Sequence, residues 1–254
     1  MNVFGYKLPY CISKRLFGDR RQYGLIPNPT DPDLKRFEES AWDFYDNTQR
    51  KGLIAQVNKM GYRVIERVDF REKIVLEIGP GVIHHLENMK SIPKEYYLCD
   101  IRDSVLEVAS KQLSESHIPN KRVLLDESKP FHLPFVNGFF DVIITLYSLE
   151  HLYPLSQYMQ EITRVMHDGG ILVGAVPCEG GFVWGLGRFL TTRRYVMKKY
   201  GINYDKLIGW YHPNFADAII QAMDQFFTRQ YLHMNPFSFL PADLNLVISF
   251  CYIK

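Results

Sequence analysis

A glycine turn beside an acidic residue is the first feature of the sequence that suggests chemistry. The segment Val75-Leu76-Glu77-Ile78-Gly79-Pro80-Gly81 places Glu77 at the end of an apolar run, with two glycines just after it. Asp100 ends the next apolar run, 21 residues beyond Gly79. Glycine lets a ligand approach the backbone closely, and an acid about 20 residues further on is spaced to accept the hydroxyl groups of a ribose. The pattern predicts a nucleotide-type ligand at this turn.

Two details favour a positively charged ligand over a nicotinamide dinucleotide, which is the alternative for this turn. The dinucleotide fingerprint needs a third glycine where this chain has His84, because helix and strand pack closely at that position. Glu77 also brings negative charge towards the ligand, which would repel a pyrophosphate but suits an ammonium and a sulfonium group.

Histidines and a basic segment are candidates for contact with a second substrate. His151 follows the fourth apolar run and is our candidate catalytic base, since histidine removes protons near neutral pH; the alternative is simple packing in the first turn of a helix. His84 and His85, expected at the start of the first helix, and His212 are further candidates. The basic and aromatic segment 180–199 either grips a phosphate or carboxylate through arginine, forms a solvated helix face, or lies on a membrane surface.

Short strands alternating with helices must hold these residues. Five apolar runs predict strands at 74–78, 96–99, 122–125, 141–145 and 171–176. Runs that are apolar on both faces and alternate with helical segments are typical of a parallel sheet covered on both sides. A helix around 216–227 and two strands, at 229–234 and 244–253, are expected to close the sheet as an antiparallel hairpin.

The segments that flank the sheet define the predicted domain boundaries. Residues 1–32 contain basic pairs and end in a turn-rich run, which predicts an extended arm. Helical spacing of apolar residues over 33–69 predicts two helices that could cap a pocket. We therefore expect an arm with cap helices over 1–70, and a main domain over 71–254 with an acceptor-cap insertion at about 178–214.

Composition and charge exclude several classes of protein. With 46% hydrophobic residues, the 254-residue chain can bury one large core. Its formal net charge of +2 does not favour binding to nucleic acid. No apolar run is long enough for a signal peptide or a transmembrane helix. We expect a cytoplasmic protein without a metal site or a disulfide framework, because its cysteines form neither a CxxC pair nor a cluster with histidine. They are Cys11, Cys99, Cys178 and Cys251.

The ordered set of motifs resembles the class I S-adenosylmethionine-dependent methyltransferases, especially the small-molecule branch typified by ubiquinone biosynthesis. The resemblance covers roughly residues 72–176. It rests on Glu77-Ile78-Gly79-Pro80-Gly81, Asp100, Leu133-Pro134-Phe135 leading to Phe140-Asp141-Val142-Ile143, Leu149-Glu150-His151-Leu152, and Asp168-Gly169-Gly170. It implies a Rossmann-like α/β fold: a doubly wound, mostly parallel, seven-stranded sheet with N-terminal helices and an insertion after the fifth strand.

The resemblance also implies roles for individual residues towards S-adenosylmethionine. The implied cofactor-binding residues are Glu77, Gly79, Pro80, Gly81, Asp100, Ile101, Asp126, Tyr147 and Ser148. Asp100 would accept the ribose hydroxyls, Ile101 would lie against the adenine, and residues 126–133 would close over its edge. Tyr147 or Ser148 would face the reacting methyl group. The sequence departs from the family at Ile83, where a third glycine is common, and in the greater length of 126–133.

The function expected from these patterns is methyl transfer to a small-molecule acceptor, such as a sugar or another biosynthetic metabolite. DNA is not expected as a partner, and neither is RNA. The alternatives are an RNA or protein methyltransferase, for which the arm and the Arg193 region would form one basic stripe, and a non-catalytic protein that binds S-adenosylmethionine. The oligomeric state is not indicated by the sequence.

Overall fold

A seven-stranded sheet forms the centre of the protein in a computed structural model that describes residues 1–40, 52–129 and 131–254. The strands are β1 (Ile74–Ile78), β2 (Glu95–Asp100), β3 (Asn120–Leu124), β4 (Phe140–Leu146), β5 (Met166–Pro177), β6 (Thr228–Asn235) and β7 (Val247–Ile253). Their order is β3-β2-β1-β4-β5-β7-β6. Strands β1 to β5 are parallel, and β7 runs antiparallel between β5 and β6. The predicted mostly parallel sheet with its antiparallel closing pair is confirmed.

Helices precede the sheet, alternate with its strands and fill the segment after β5. They are α1 (Tyr10–Phe17), α2 (Arg20–Tyr23), α3 (Pro32–Glu39), α4 (Gly52–Tyr62), α5 (Asp103–Glu115), α6 (Leu155–Val165), α7 (Phe182–Leu190), α8 (Thr192–Tyr200), α9 (Tyr204–Tyr211) and α10 (Ala216–Phe226). Short 3-10 turns occur at Gly5–Lys7, Arg63–Arg67, Leu86–Asn88 and Ala242–Leu244. Among the described helices, none has both the length and the apolar character needed to cross a membrane.

Both faces of the sheet are covered, because successive side chains of a strand point to opposite sides. Leu76 of β1 packs in the cluster that includes Ile162 of α6 and Ile219 of α10. Its neighbour Val75 packs on the other side, in the cluster that includes Leu106 of α5 and Val57 of α4. The sheet is therefore the middle layer of a three-layer α/β domain.

The connection from β1 to β2 contradicts one prediction, because His84 and His85 do not begin a helix. This connection contains only the 3-10 turn Leu86–Asn88. The side chain of Gln112 in α5 forms hydrogen bonds with the Ile83 backbone in place of the bonds that a helix would form. Its amide nitrogen donates to the Ile83 carbonyl at 3.0 Å, and its amide oxygen accepts from the Ile83 N–H at 2.9 Å. The helix that precedes the sheet, α4, lies against β5 and β7.

The start of β5 also differs from the prediction. The strand begins at Met166, so Asp168-Gly169-Gly170 lie inside it rather than before it. Met166 pairs with Phe140, and the register then shifts before Val142 pairs with Ile171. This irregularity accommodates the two glycines, which the apolar pattern alone does not place in a strand.

The N-terminal segment packs on the insertion after β5. Residues 1–32 are not the extended arm that was predicted, since α1 and α2 form within them. The Lys206 ammonium contacts the carboxylates of Asp31 at 2.8 Å and Asp33 at 3.0 Å, and the Trp210 indole donates to the Tyr23 carbonyl at 3.0 Å. Of the two helices predicted over 33–69, the part at 41–51 lies outside the described residues.

Candidate functional site

The candidate site lies at the carboxyl ends of β1, β2 and β4. Strand order reverses between β1 and β4, since the chain moves outward through β2 and β3 and then returns to the other side of β1. Ligands of open α/β sheets bind in the crevice at this switch point. Gly79 follows β1, Asp100 ends β2 and Ser148 follows β4, so the fold brings these three predicted residues to one edge.

The glycine turn packs closely against Ser148. Gly79 and Gly81 have φ angles of +67° and +57°, which favour glycine. A Cβ atom on Gly79 would lie 3.1 Å from the Cβ atom of Ser148. The Ser148 hydroxyl is buried, and no described residue gives it a hydrogen bond. Since buried hydroxyl groups normally have a partner, this orphaned group fits a polar ligand bound against the turn.

Glu77 is held inside the protein by Tyr96 and His85. Its side chain is 1% exposed, and the Tyr96 hydroxyl donates to its Oε2 at 2.8 Å. Burial raises the pKa of Glu77 to about 8, against the opposing effect of the Tyr96 hydrogen bond. Burial likewise lowers the pKa of His85 to about 3. Glu77 Oε1 also lies 3.7 Å from His85 Nδ1, so the carboxyl group contacts both of these side chains.

Asp100 presents its carboxylate at the end of β2. Its Oδ1 accepts hydrogen bonds from the backbone N–H of Arg102 at 2.9 Å and from the guanidinium Nε of Arg102 at 3.2 Å. The Arg102 side chain is largely exposed and can move aside for a ligand hydroxyl. Ile101 is half exposed beside it. The predicted ribose and adenine contacts therefore lie next to each other.

Asp126 lies further out and contacts its own turn. Its Oδ1 accepts from the hydroxyl of Ser128 at 2.6 Å and from the backbone N–H of Ser128 at 2.9 Å. These hydrogen bonds lower the pKa of Asp126. Its side chain is exposed, and Pro130 of the predicted adenine-covering segment lies outside the described residues.

Tyr147 is turned away from the glycine turn and towards α4. Its hydroxyl donates to the Asn58 carbonyl at 2.9 Å, and its ring packs edge-on against Tyr62 with the centroids 5.8 Å apart. A Cβ atom on Gly61 would lie 2.3 Å from the Tyr147 hydroxyl. Of the two residues predicted to face the methyl group, the structure therefore brings Ser148 to the turn and uses Tyr147 to hold α4.

His151 lies one turn beyond Ser148 and next to a second histidine. Its backbone N–H donates to the Ser148 carbonyl at 3.0 Å, and its Nδ1 contacts the Tyr211 carbonyl. A carbonyl oxygen only accepts, so this contact assigns the hydrogen to Nδ1 and leaves Nε2 free to take a proton. The His212 ring packs edge-on against it at 4.7 Å between centroids.

Glu179 organises a buried polar cluster that the sequence did not reveal. This residue is 0% exposed and lies two residues after β5. It accepts from Arg188 Nη1 at 2.6 Å, from Trp184 Nε1 at 2.9 Å and pairs with His212 Nδ1 at 3.0 Å. Burial alone would raise the pKa of Glu179, but the charge of Arg188 and the contact with His212 outweigh it and hold that pKa well below its usual range. Its position just beyond a strand end was the available signal.

Two arginines of the basic segment after β5 are bound to internal carboxylates. Arg188 is buried and bonded to Glu179, and Arg193 Nε contacts Asp205 at 2.7 Å. The prediction that these arginines grip a substrate anion is therefore not supported at Arg188 or Arg193.

Comparisons with known proteins agree with this geometry. A family model described as a methyltransferase domain matches residues 76–174. Over 123 residues, the chain is 29% identical to the human protein named arginine-hydroxylase NDUFAF5, mitochondrial, covering 46% of this chain and 33% of that protein. It is 30% identical over 76 residues to the ubiquinone/menaquinone biosynthesis C-methyltransferase UbiE of Ralstonia pickettii, covering 30% of each. The chain thus spans about a third of the length of these curated relatives.

Solved structures show the same fold at low sequence identity. The N-methyltransferase NodS from Bradyrhizobium japonicum, solved with S-adenosyl-L-homocysteine, has a TM-score of 0.57 at 12% identity, covering 86% of this chain and 98% of NodS. A Thermotoga maritima protein described as a S-adenosylmethionine-dependent methyltransferase, possibly a histamine N-methyltransferase, has a TM-score of 0.54 at 13% identity, covering 87% of this chain and 99% of that protein.

The family match and the fold point the same way. Residues 76–174 carry a methyltransferase domain, and the fold is shared with structures of S-adenosylmethionine-dependent methyltransferases, one of them solved with S-adenosyl-L-homocysteine. The residues at the β1–β4 switch point fit S-adenosylmethionine, since Gly79 lets the turn approach Ser148 closely and Ser148 offers a hydroxyl group without a partner among the described residues.

Proposed function

We propose that the chain transfers a methyl group from S-adenosylmethionine to a small-molecule acceptor, such as a sugar or another biosynthetic metabolite. The observation that carries the proposal is the position of the N-terminal helices and the 178–214 insertion beside the cofactor edge. Asn214 donates to the carbonyls of Leu149 at 2.9 Å and Leu152 at 2.6 Å, just after β4. Arg20 donates to the His212 carbonyl at 2.6 Å, which ties α2 to the same place.

The cofactor would be held by residues from three strand ends. S-adenosylmethionine supplies a methyl group already activated by a positively charged sulfur. Asp100 would accept from the ribose hydroxyls, and Ser148 would bind a polar group of the ligand next to Gly79. Because the donor is activated, alignment of the acceptor and exclusion of water supply much of the rate enhancement.

Two histidines are placed to remove a proton from the acceptor. We keep His151 as the proposed base, because its contact with the Tyr211 carbonyl leaves Nε2 unprotonated. His212 is a second candidate, since Glu179 binds its Nδ1 and a carboxylate in that position orients an imidazole for proton transfer. His151→Asn and His212→Asn variants are both expected to bind the cofactor as the native chain does. The variant that lacks the base is expected to show the larger loss of turnover.

The similarity to NDUFAF5 suggests a second candidate function. That protein is named an arginine hydroxylase, and its match to this chain is longer than the UbiE match. Hydroxylation of an arginine is therefore the main alternative to methyl transfer to a small molecule. The same name includes a mitochondrial location, whereas we propose a cytoplasmic location for this chain; fractionation of the source cells distinguishes the two.

Transfer of a labelled methyl group tests the proposed acceptor class. The full chain is incubated with methyl-tritiated S-adenosylmethionine and separately with the metabolite, RNA and protein fractions of an extract. We expect label in the metabolite fraction, and less with His151→Asn. Label in RNA or protein alone would contradict the small-molecule proposal. In a parallel incubation supplied with dioxygen and a two-electron reductant, an arginine-containing product that gains the mass of one oxygen atom would support hydroxylation.

A further inference from the structure

Helix α7 shows an apolar face that the proposed function does not use. Phe182, Leu186 and Leu190 follow one another at a spacing of four residues, so they lie on one side of the helix, and all three side chains are exposed. The opposite side is packed, because Trp184 and Arg188 both donate to the buried Glu179 carboxylate, at 2.9 Å and 2.6 Å. The helix is thus anchored on one side and apolar on the other.

Two further exposed apolar residues lie beside the start of α7. The backbone N–H groups of Phe4 and Gly5 both donate to the Asp243 carboxylate, at 2.9 Å and 2.8 Å. A Cβ atom on Gly5 would lie 2.6 Å from the backbone nitrogen of Phe182. These contacts hold Phe4, which is 60% exposed, and Leu244 against the first turn of α7.

Hydrogen bonds from the Asn245 side chain hold the loop that carries Phe239, an exposed aromatic residue. The Asn245 side chain accepts from the Phe237 N–H at 2.8 Å and donates to the Leu240 carbonyl at 3.0 Å. Phe239, between them, is 82% exposed. We define the apolar surface by its exposed residues. They are Phe4, Phe182, Leu186, Leu190, Phe239 and Leu244.

Basic residues predominate in the N-terminal and α7–α8 segments of the apolar surface, whereas Asp243 is the acidic residue next to Leu244. Segments 1–17 and 180–201 together contain eight lysines and arginines and no aspartate or glutamate, although the whole chain carries a net charge of only +2. Arg188 and Arg193 are held by internal carboxylates. The Lys7 ammonium lies 5.1 Å from the centre of the Phe4 ring. Positive charge therefore borders the exposed rings directly.

We propose that the apolar surface docks on an anionic lipid membrane. Exposed aromatic and leucine side chains next to lysine and arginine are typical of protein surfaces that lie in the membrane interface, where the rings enter the headgroup layer and the cations meet lipid phosphates. A second copy of the chain would bring like charges together around the same patch, which opposes self-association. Because α7 begins five residues after β5 ends, docking would place the carboxyl edge of the sheet near the membrane.

Vesicle co-sedimentation of the full chain tests this proposal without any methyl acceptor. We expect binding to vesicles of phosphatidylcholine mixed with phosphatidylglycerol, weaker binding to phosphatidylcholine alone, and loss of binding as salt is raised. Replacing both Phe182 and Phe239 by serine is expected to weaken binding at least about tenfold. The matched control replaces Ile92 and Val136, which are also well exposed, by serine, and should bind as the native chain does.

A charge variant provides an independent arm of the same experiment. Changing Arg194 and Lys198 to glutamine should weaken binding to anionic vesicles only, whereas the same change at the exposed residues Lys90 and Lys111 should have little effect. The proposal is overturned if the folded native chain binds no anionic vesicles, or if the control variants lose binding equally. Self-association abolished by the phenylalanine variant would also overturn it. Cofactor binding, measured separately, is independent of all these outcomes.

Discussion

At the scale of single residues, the buried carboxyl groups of Glu77 and Glu150 make the stability of the fold depend on pH. Burial raises the pKa values of Glu77 and of Glu150 to about 8. In the unfolded chain these groups ionise near their ordinary pKa of 4.5, so between pH 4.5 and 8 the folded state binds more protons than the unfolded state. The free energy of unfolding therefore falls as pH rises through this window. Below pH 4.5 both states are protonated and the penalty vanishes.

Replacing Glu77 by glutamine should separate this stability cost from a role in binding. At pH 8 the variant is expected to be at least as stable as the native chain, and its stability should change less between pH 5 and 8. Binding of S-adenosylmethionine, whose ammonium favours an ionised Glu77, should weaken about tenfold or more. Glu150→Gln is the matched control, with a similar effect on stability. Urea unfolding at several pH values and calorimetric titration supply the measurements; equal binding by the native chain and Glu77→Gln would contradict the role of Glu77.

Alanine substitutions at Gly79 and Gly169 separate the effect of backbone strain from the effect of a side chain at the ligand site. Both have positive φ angles, +67° and +82°, but only a side chain on Gly79 would approach Ser148. Alanine at either position should cost on the order of 1 kcal/mol of stability. Only Gly79→Ala should also abolish binding of S-adenosylhomocysteine, because its methyl group enters the space of the ligand. Thermal unfolding and calorimetry distinguish the effects, and equal losses of affinity would refute this assignment.

At the scale of elements, the sequence predicts the central strands well because β1, β2 and β4 bury both of their faces. The run Ile74–Ile78 is observed as β1 with the predicted bounds, and the predicted closing hairpin is formed by β6 and β7. The missing helix after β1 was not predictable, because the side chain of Gln112, distant in sequence, takes the backbone groups of Ile83. Glu179 was missed for a similar reason: its partners come together only when α7 and His212 fold back on the end of β5.

The ion pair between Arg188 and Glu179 is expected to hold α7 in place. Arg188→Leu leaves the buried Glu179 carboxylate without its guanidinium, which should destabilise the fold by about 3–5 kcal/mol. Replacing both residues by leucine should recover much of that loss. Arg194→Leu, on the exposed part of α8, should change stability by less than about 0.5 kcal/mol. Chemical denaturation measures all three variants, and similar stabilities for Arg188→Leu and Arg194→Leu would show that the pair does not stabilise the fold.

At the scale of the whole molecule, three parts of the chain that are distant in sequence meet at one edge. The sheet supplies the Gly79 turn and Asp100, the segment after β5 supplies Glu179 and His212, and the N-terminal helices are bonded to that segment through Lys206. The motifs predicted the first part from the spacing of glycines and acids. The other two carry no comparable spacing, since their contacts depend on how helices pack.

The central claim is that the switch point between β1 and β4 binds S-adenosylmethionine with Asp100 on the ribose. Calorimetric titration of the purified chain with S-adenosylhomocysteine tests it most directly, using Asp100→Asn and the matched variant Asp103→Asn, whose carboxylate is exposed three residues further along. We predict saturable binding by the native chain and by Asp103→Asn, and a loss of about 1–3 kcal/mol in binding free energy for Asp100→Asn. No binding to the folded native chain, or equal affinities for all three proteins, would contradict the claim.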